Sequence, residues 1–146
     1  MLSEKTTAAE IRETGQSVFA VEIKVSGHTL TGDEPPESGG GNLGPSPYDL
    51  LTAALGECTA ITVRWYARQK NWPLEHVAVS VTHRKTDTAS VPEAEGRSGV
   101  IDLFEKTVTI KGASLTPEQK QKLLDVAAKC PVQRTLEGRP VIRTRN

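Results

Sequence analysis

The chain has 146 residues, 36% of them apolar and 25% charged, enough for one domain (1–146) that buries its own core without disulfide or metal staples. Its 18 Lys and Arg balance 18 Asp and Glu, and the formal charge of zero argues against nucleic acid or an anionic membrane surface as partner, since both recruit a basic excess. The N-terminal MLSEKTTAAEIRETGQ lacks the apolar stretch of a signal peptide, no apolar run nears the ~18 residues of a membrane span, and two cysteines do not make a secreted disulfide framework, so the expected compartment is the reducing cytoplasm.

Residues 1–16 read as a loosely held segment or an edge strand. Phe19, Val21, Ile23 and Val25 then alternate with Ala20, Glu22 and Lys24, the period of a half-buried strand. Ser26-Gly27 turns the chain, and His28 to Thr31 return as the second arm of a hairpin. Asp33 to Pro45, punctuated by Pro35, Pro36 and Gly39-Gly40-Gly41, is a loop long enough to imply a functional or interface role.

Ser46 as N-cap, Pro47 at the first helical position and Asp49 as a returning carboxylate open a helix predicted to reach about Lys70. Its apolar stripe is Leu51, Leu55, Cys58, Ile61 or Thr62, and Trp65. Gly56 costs this helix about 1 kcal/mol against alanine; it is either tolerated or required by a close neighbour. Asn71-Trp72-Pro73 stops the helix. Val77, Val79, Val81 and His83 mark a second strand, followed by a polar connector from Thr86 to Gly99. Phe104, Val108 and Ile110 mark a third, its apolar face interrupted by Lys106. Thr116-Pro117-Glu118-Gln119 caps a further helix with an apolar face of Leu123, Val126, Ala127 and Cys130, which Pro131 must stop or kink. Val141 to Thr144 read as a short closing strand. The pattern is α+β, with hairpins and two long helices rather than alternating βαβ units.

Two cysteines on apolar helix stripes leave two readings open: inert core thiols, since cysteine is among the most buried residue types, or a redox pair. Cys58 lies about three turns inside its helix, too deep for the helix dipole to acidify it, so a thiolate there needs a nearby cation or hydrogen-bond donor. His28, His76 and His83 are scattered along strands without a second ligand at metal spacing. There is no CxxC, no phosphate-binding glycine loop in a strand-to-helix setting and no nucleophile elbow, and neither a metal nor an organic cofactor is expected.

The run Gly44-Pro45-Ser46-Pro47-Tyr48-Asp49-Leu50-Leu51-Thr52-Ala53-Ala54-Leu55-Gly56-Glu57-Cys58, with Lys129-Cys130-Pro131-Val132 far downstream, resembles the OsmC/Ohr family, and Asp33-Glu34-Pro35 with its glycines resembles the OsmC-like branch. The resemblance implies antiparallel sheets wrapped around two long central helices in an intertwined homodimer, where close helix approach would give Gly56 its reason. It also implies a thiol peroxidase. Cys58 would attack an organic hydroperoxide and become a sulfenic acid, Cys130 would close a disulfide, and an external dithiol reductant would reopen it.

The sequence departs from the family's pattern where the peroxidases carry a glutamate and this chain has Tyr48; the nearest carboxylate is Asp49, which has the capping-box reading of its own. The family's thiolate-stabilising arginine has only Arg12 as a positional counterpart, because Arg64 would face another side of the helix and Arg134 has no better support. Two alternatives follow from these departures: a redox sensor without fast turnover, and a non-catalytic dimer that binds a small apolar ligand.

Overall fold

The computed structural model describes residues 5–146; residues 1–4, part of the segment read as loose or an edge strand, lie outside them. Element order is β1 (Ala9–Glu13), β2 (Val21–Val25), β3 (His28–Gly32), α1 (Pro47–Gln69), β4 (His76–Asp87), β5 (Val100–Lys111), α2 (Pro117–Ala127) and α3 (Pro131–Glu137). The result is α+β with antiparallel sheets, in two compact units, Met1–Leu51 and Thr52–Asn146.

In the first unit β1, β2 and β3 form an antiparallel sheet in that order, with Ile11 opposite Ile23 and Ile23 opposite Leu30. The hairpin between β2 and β3 turns on Ser26 and Gly27, both at positive φ (51° and 80°), the turn whose twist matches that of the strands. Phe19 does not belong to the strand. Ser17 Oγ accepts the N–H of Ala20 at 3.0 Å and of Phe19 at 3.3 Å, and this local bonding competes with the ladder, so the strand starts at Val21 and Ala20 is the buried residue.

The long loop is built around Asp33, which is buried, with a carboxylate that accepts from Ser17 Oγ (2.8 Å) and from the N–H groups of Glu34 (2.7 Å), Gly41 (3.1 Å) and Leu43 (3.2 Å). Burial alone would push this carboxyl up, but the hydrogen bonds outweigh it and hold it below the ordinary range. Gly40 is required here, since a Cβ at that position would overlap the Glu34 carbonyl. Ile11, Phe19, Val21, Ile23, Pro45 and Leu50 form the apolar part of a concavity of about 700 Å³ on this unit.

In the second unit β4 and β5 pair over their whole length, from His76 opposite Lys111 to Asp87 opposite Val100. The strands run further than the sequence pattern predicted, and the connector between them carries two short 3-10 turns (Thr88–Ser90 and Pro92–Ala94) that bury Val91 and Ala94. Val77, Val79 and Val81 share a face with Ile110, Val108 and Lys106. Helix α1 ends near its predicted position, but its buried stripe is Leu55, Thr59, Val63 and Ala67. Trp65, read as core-facing, is 56% exposed, and of the alternatives Ile61 and Thr62 the isoleucine is 59% exposed while the threonine is half-buried. Leu55 lies on both stripes, but from Cys58 onward the predicted one departs from the buried face, because hydrophobicity ranked Ile61 and Trp65 above the small, polar Thr59.

Gly56 meets a strand of its own chain: a Cβ there would stand 3.1 Å from Val81 Cγ2. Val63, Ala67, Leu74, Leu115, Leu123 and Ala127 form the core, with Tyr66, Trp72, Val77, Val108 and Ile110 packed around it. Full burial of Leu123 and Val63 contributes about 1.5–3 kcal/mol each.

The second helix is shorter than expected. Thr116 and Gln119 close its capping box as predicted, but α2 stops at Ala127, and Pro131 places Cys130 outside it, at extended φ and ψ (−65°, 151°) as the N-cap of α3. The closing strand at Val141–Thr144 does not form. Val141 and Ile142 are 83% and 85% exposed, and among the described residues they pair with neither sheet, so the ladder bonds a strand needs are not made there.

Candidate functional site

The two cysteines come together within the second unit. Helix α1 presents Cys58, half-buried, and the Cys130-Pro131 break between α2 and α3 turns the Cys130 thiol inward, where none of it is exposed. Both are free thiols, close enough to share a hydrogen bond. Val132 N–H donates to Cys58 Sγ at 3.5 Å, and Gln133 N–H donates to Cys130 Sγ at 3.4 Å. The side-chain oxygen of Gln133 is buried with no partner among the described residues.

Beneath Cys130 lies a polar chain that no sequence pattern announced as a unit. Thr59, fully buried one helical turn after Leu55, places Oγ1 3.4 Å from Cys130 Sγ and 2.8 Å from Leu55 O. Lys106 reaches across from β5 and donates to Thr59 Oγ1 at 2.9 Å and to Ala127 O, the last carbonyl of α2, at 2.6 Å. Lys106 therefore breaks the apolar alternation of its strand because its ammonium ends on two acceptors inside the unit. That interruption was the one available signal for it; a buried threonine on a helix offered none.

These surroundings split the two thiols. Burial is the largest influence on Cys58 and raises it, the Cys130 charge and the hydrogen bond to Cys130 add to that, and Val132 N–H and the Thr62 hydroxyl only partly offset them. Burial also pushes Cys130 up, but Thr59, the Gln133 N–H, the Cys58 thiol and the Lys106 charge together bring it below its ordinary value. These surroundings favour negative charge on the buried sulfur over the half-exposed one.

Asp49, Arg12 and Arg64, also singled out from sequence, have structural partners. Asp49 accepts the N–H of Ser46 at 2.9 Å while Ser46 Oγ accepts the N–H of Asp49 at 3.2 Å, a complete capping box. Arg12 lies opposite Glu22 in the β1–β2 ladder, its guanidinium 3.4 Å from that carboxylate and its side chain 75% exposed. Arg64 donates to the carbonyls of Leu74 (2.7 Å) and Glu75 (3.3 Å), tying α1 to the loop that follows it. Among the described residues no three His, Cys, Asp or Glu side chains converge as a metal would require, and no helix is long and apolar enough to cross a membrane.

Residues 39–145 match the OsmC-like protein family. The chain belongs to that family. Solved structures similar to this OsmC-like chain include an OsmC-like protein from Mycoplasma pneumoniae, 18% identical with a TM-score of 0.71, the match covering 93% of this chain and 90% of the other. An organic hydroperoxide resistance protein from Legionella pneumophila is 20% identical with a TM-score of 0.67, covering 94% and 93%. One from Elizabethkingia anophelis is 18% identical with a TM-score of 0.67, covering 94% and 92%. At these identities the likeness speaks for the fold. No functionally curated protein matches the sequence significantly.

Proposed function

We propose that this OsmC-like chain is a cytoplasmic thiol peroxidase that reduces organic hydroperoxides through the Cys58–Cys130 couple, its 146 residues acting as one functional domain in an intertwined homodimer. The observation that carries the reading is the pairing of a half-exposed thiol with a fully buried one, whose sulfur is held by the Thr59 hydroxyl and the Gln133 N–H. Membership of the OsmC-like family and the hydroperoxide-resistance proteins among the similar structures support the substrate class.

In this scheme Cys58 gives its proton to solvent and reacts as the thiolate. Cys58 attacks the outer peroxide oxygen, the O–O bond breaks, and the alkoxide takes a proton from solvent and leaves as the alcohol while Cys58 becomes a sulfenic acid. Cys130 then attacks the sulfenic sulfur, water departs, and a disulfide forms. An external dithiol supplies the two electrons that restore both thiols.

The test is to mix reduced protein with one equivalent of cumene hydroperoxide and follow free thiols and intact mass. Loss of both thiols and of about 2 Da, abolished in Cys58→Ser, is the expected result. Thiols that survive the treatment would refute it. The apolar concavity of the first unit favours a second reading, binding of a small apolar ligand. That reading predicts saturable binding of a fluorescent fatty acid by a Cys58→Ser, Cys130→Ser double variant.

A further inference from the structure

The dithiol is asymmetric in its polar neighbours, and that asymmetry gives thiol–disulfide exchange a direction. Thr59 Oγ1 has one proton and two lone pairs. Lys106 occupies a lone pair at 2.9 Å, so the hydroxyl proton must be donated onward, either to Leu55 O at 2.8 Å or to Cys130 Sγ at 3.4 Å. Leu55 O is already engaged by the backbone N–H one helical turn later, so it loses little when the hydroxyl turns away. As negative charge develops on Cys130, rotation about a single bond brings the hydroxyl proton to the sulfur, with the Lys106 ammonium behind it. Cys58 has no such chain: its described donors are Val132 N–H and the Thr62 hydroxyl, and no cation stands among them. Among the largest influences on Cys130, the titratable groups are Cys58 of α1 and Lys106 of β5.

We propose that Lys106 and Thr59 make Cys130 the leaving sulfur of the couple, so that a thiol reducing the Cys58–Cys130 disulfide attacks Cys58 and expels Cys130 as a thiolate. The step balances. The incoming thiolate forms a bond to Cys58 Sγ, the Cys58–Cys130 bond breaks, and its electron pair goes to Cys130. The second thiol of the reductant then attacks the mixed disulfide, returns Cys58 to a thiol and leaves the reductant oxidised. Exchange is faster when the departing thiol is the more acidic, and here that is the sulfur held by Thr59. Access points the same way, since Cys130 is wholly buried and Cys58 is not. Lys106 and Thr59 are positioning residues, as they act through Cys130 and touch no substrate.

The inference rests on the dithiol reading of the site, and its test avoids hydroperoxide. The full-length protein is oxidised with diamide and then mixed with 2-mercaptoethanol. The mixed disulfide is acid-quenched and mapped by peptide mass spectrometry, and the reduction rate is measured from pH 6 to 9. The adduct is expected on Cys58. Thr59→Val and Lys106→Met should slow reduction about three- to tenfold, and Thr59→Ser should reduce at close to the wild-type rate. Exposure alone would also direct attack to Cys58, but it would not make the rate follow the Thr59 hydroxyl. An adduct on Cys130, a Thr59→Val rate and pH profile equal to wild type, or failure of diamide to close the bridge overturns the proposal. Thiols inert to hydroperoxide in a protein whose diamide-made bridge obeys this pattern would refute the peroxidase and leave the polarity standing.

Discussion

Replacing Thr59 with valine exchanges a hydroxyl for a methyl at nearly constant volume, in a residue with no exposed surface. Both residues are β-branched, so helix propensity and χ1 freedom scarcely change. The bond to Leu55 O is a minor loss because that carbonyl keeps its backbone donor. The bond from Lys106 is the large one. The ammonium, half-buried, retains Ala127 O at 2.6 Å but meets a methyl where it met an acceptor at 2.9 Å. A hydrogen bond to a charged group contributes about 1.5–3 kcal/mol, and partial access of Lys106 to water places the expected cost near 2 kcal/mol. With a denaturant slope of about 2 kcal/mol per M, the urea midpoint should fall by about 1 M at unchanged slope. Thr59→Ser keeps the hydroxyl and loses only a methyl group, so it should fall by less. A Thr59→Val midpoint at or above wild type would refute the reasoning, because it would mean that the Lys106–Thr59 bond contributes nothing to the folded state.

Three further outcomes follow from the same geometry. Asp33 has a folded pKa below its ordinary value near 3.8, so the stability it contributes is present above that value and is lost as pH falls through the lowered one; Asp33→Asn should show a flatter acid-unfolding curve than wild type, and identical curves would count against the loop account. Gly40→Ala should destabilise the protein by about 1–3 kcal/mol or more in thermal melts, since the new Cβ would strike backbone at Glu34 rather than a movable side chain. Cys130→Ser removes the neighbour whose charge and hydrogen bond hold Cys58 high, so Cys58 alkylation by iodoacetamide should begin at lower pH than in wild type; an unchanged or higher onset would break the coupling between the thiols.

The elements of this protein were largely legible because their signals are local. Ser46-Pro47-Tyr48-Asp49 and Thr116-Pro117-Glu118-Gln119 each carry a complete helix start within four residues, and both caps close as read. The alternation of Val77, Val79 and Val81 and the positive-φ turn at Ser26-Gly27 are likewise properties of short segments. The errors lay where a segment depends on distant partners. Val141 and Ile142 have strand-forming side chains, yet among the described residues they pair with neither sheet. Phe19 was displaced from its strand by Ser17 and Asp33, which bond to each other across the loop.

The two cysteines were visible as residues and their motifs as a family resemblance, but nothing in their spacing told an inert pair from a polarised one. That distinction depends on Thr59 of α1, Lys106 of β5 and Ala127 of α2, which meet only when the chain has folded. Helix caps and strand periods act over a few residues and can be read in order along the chain. The acidity of a thiol is set by charges and donors within a few ångströms in space, and these three come from segments with no sequence relation to Cys130.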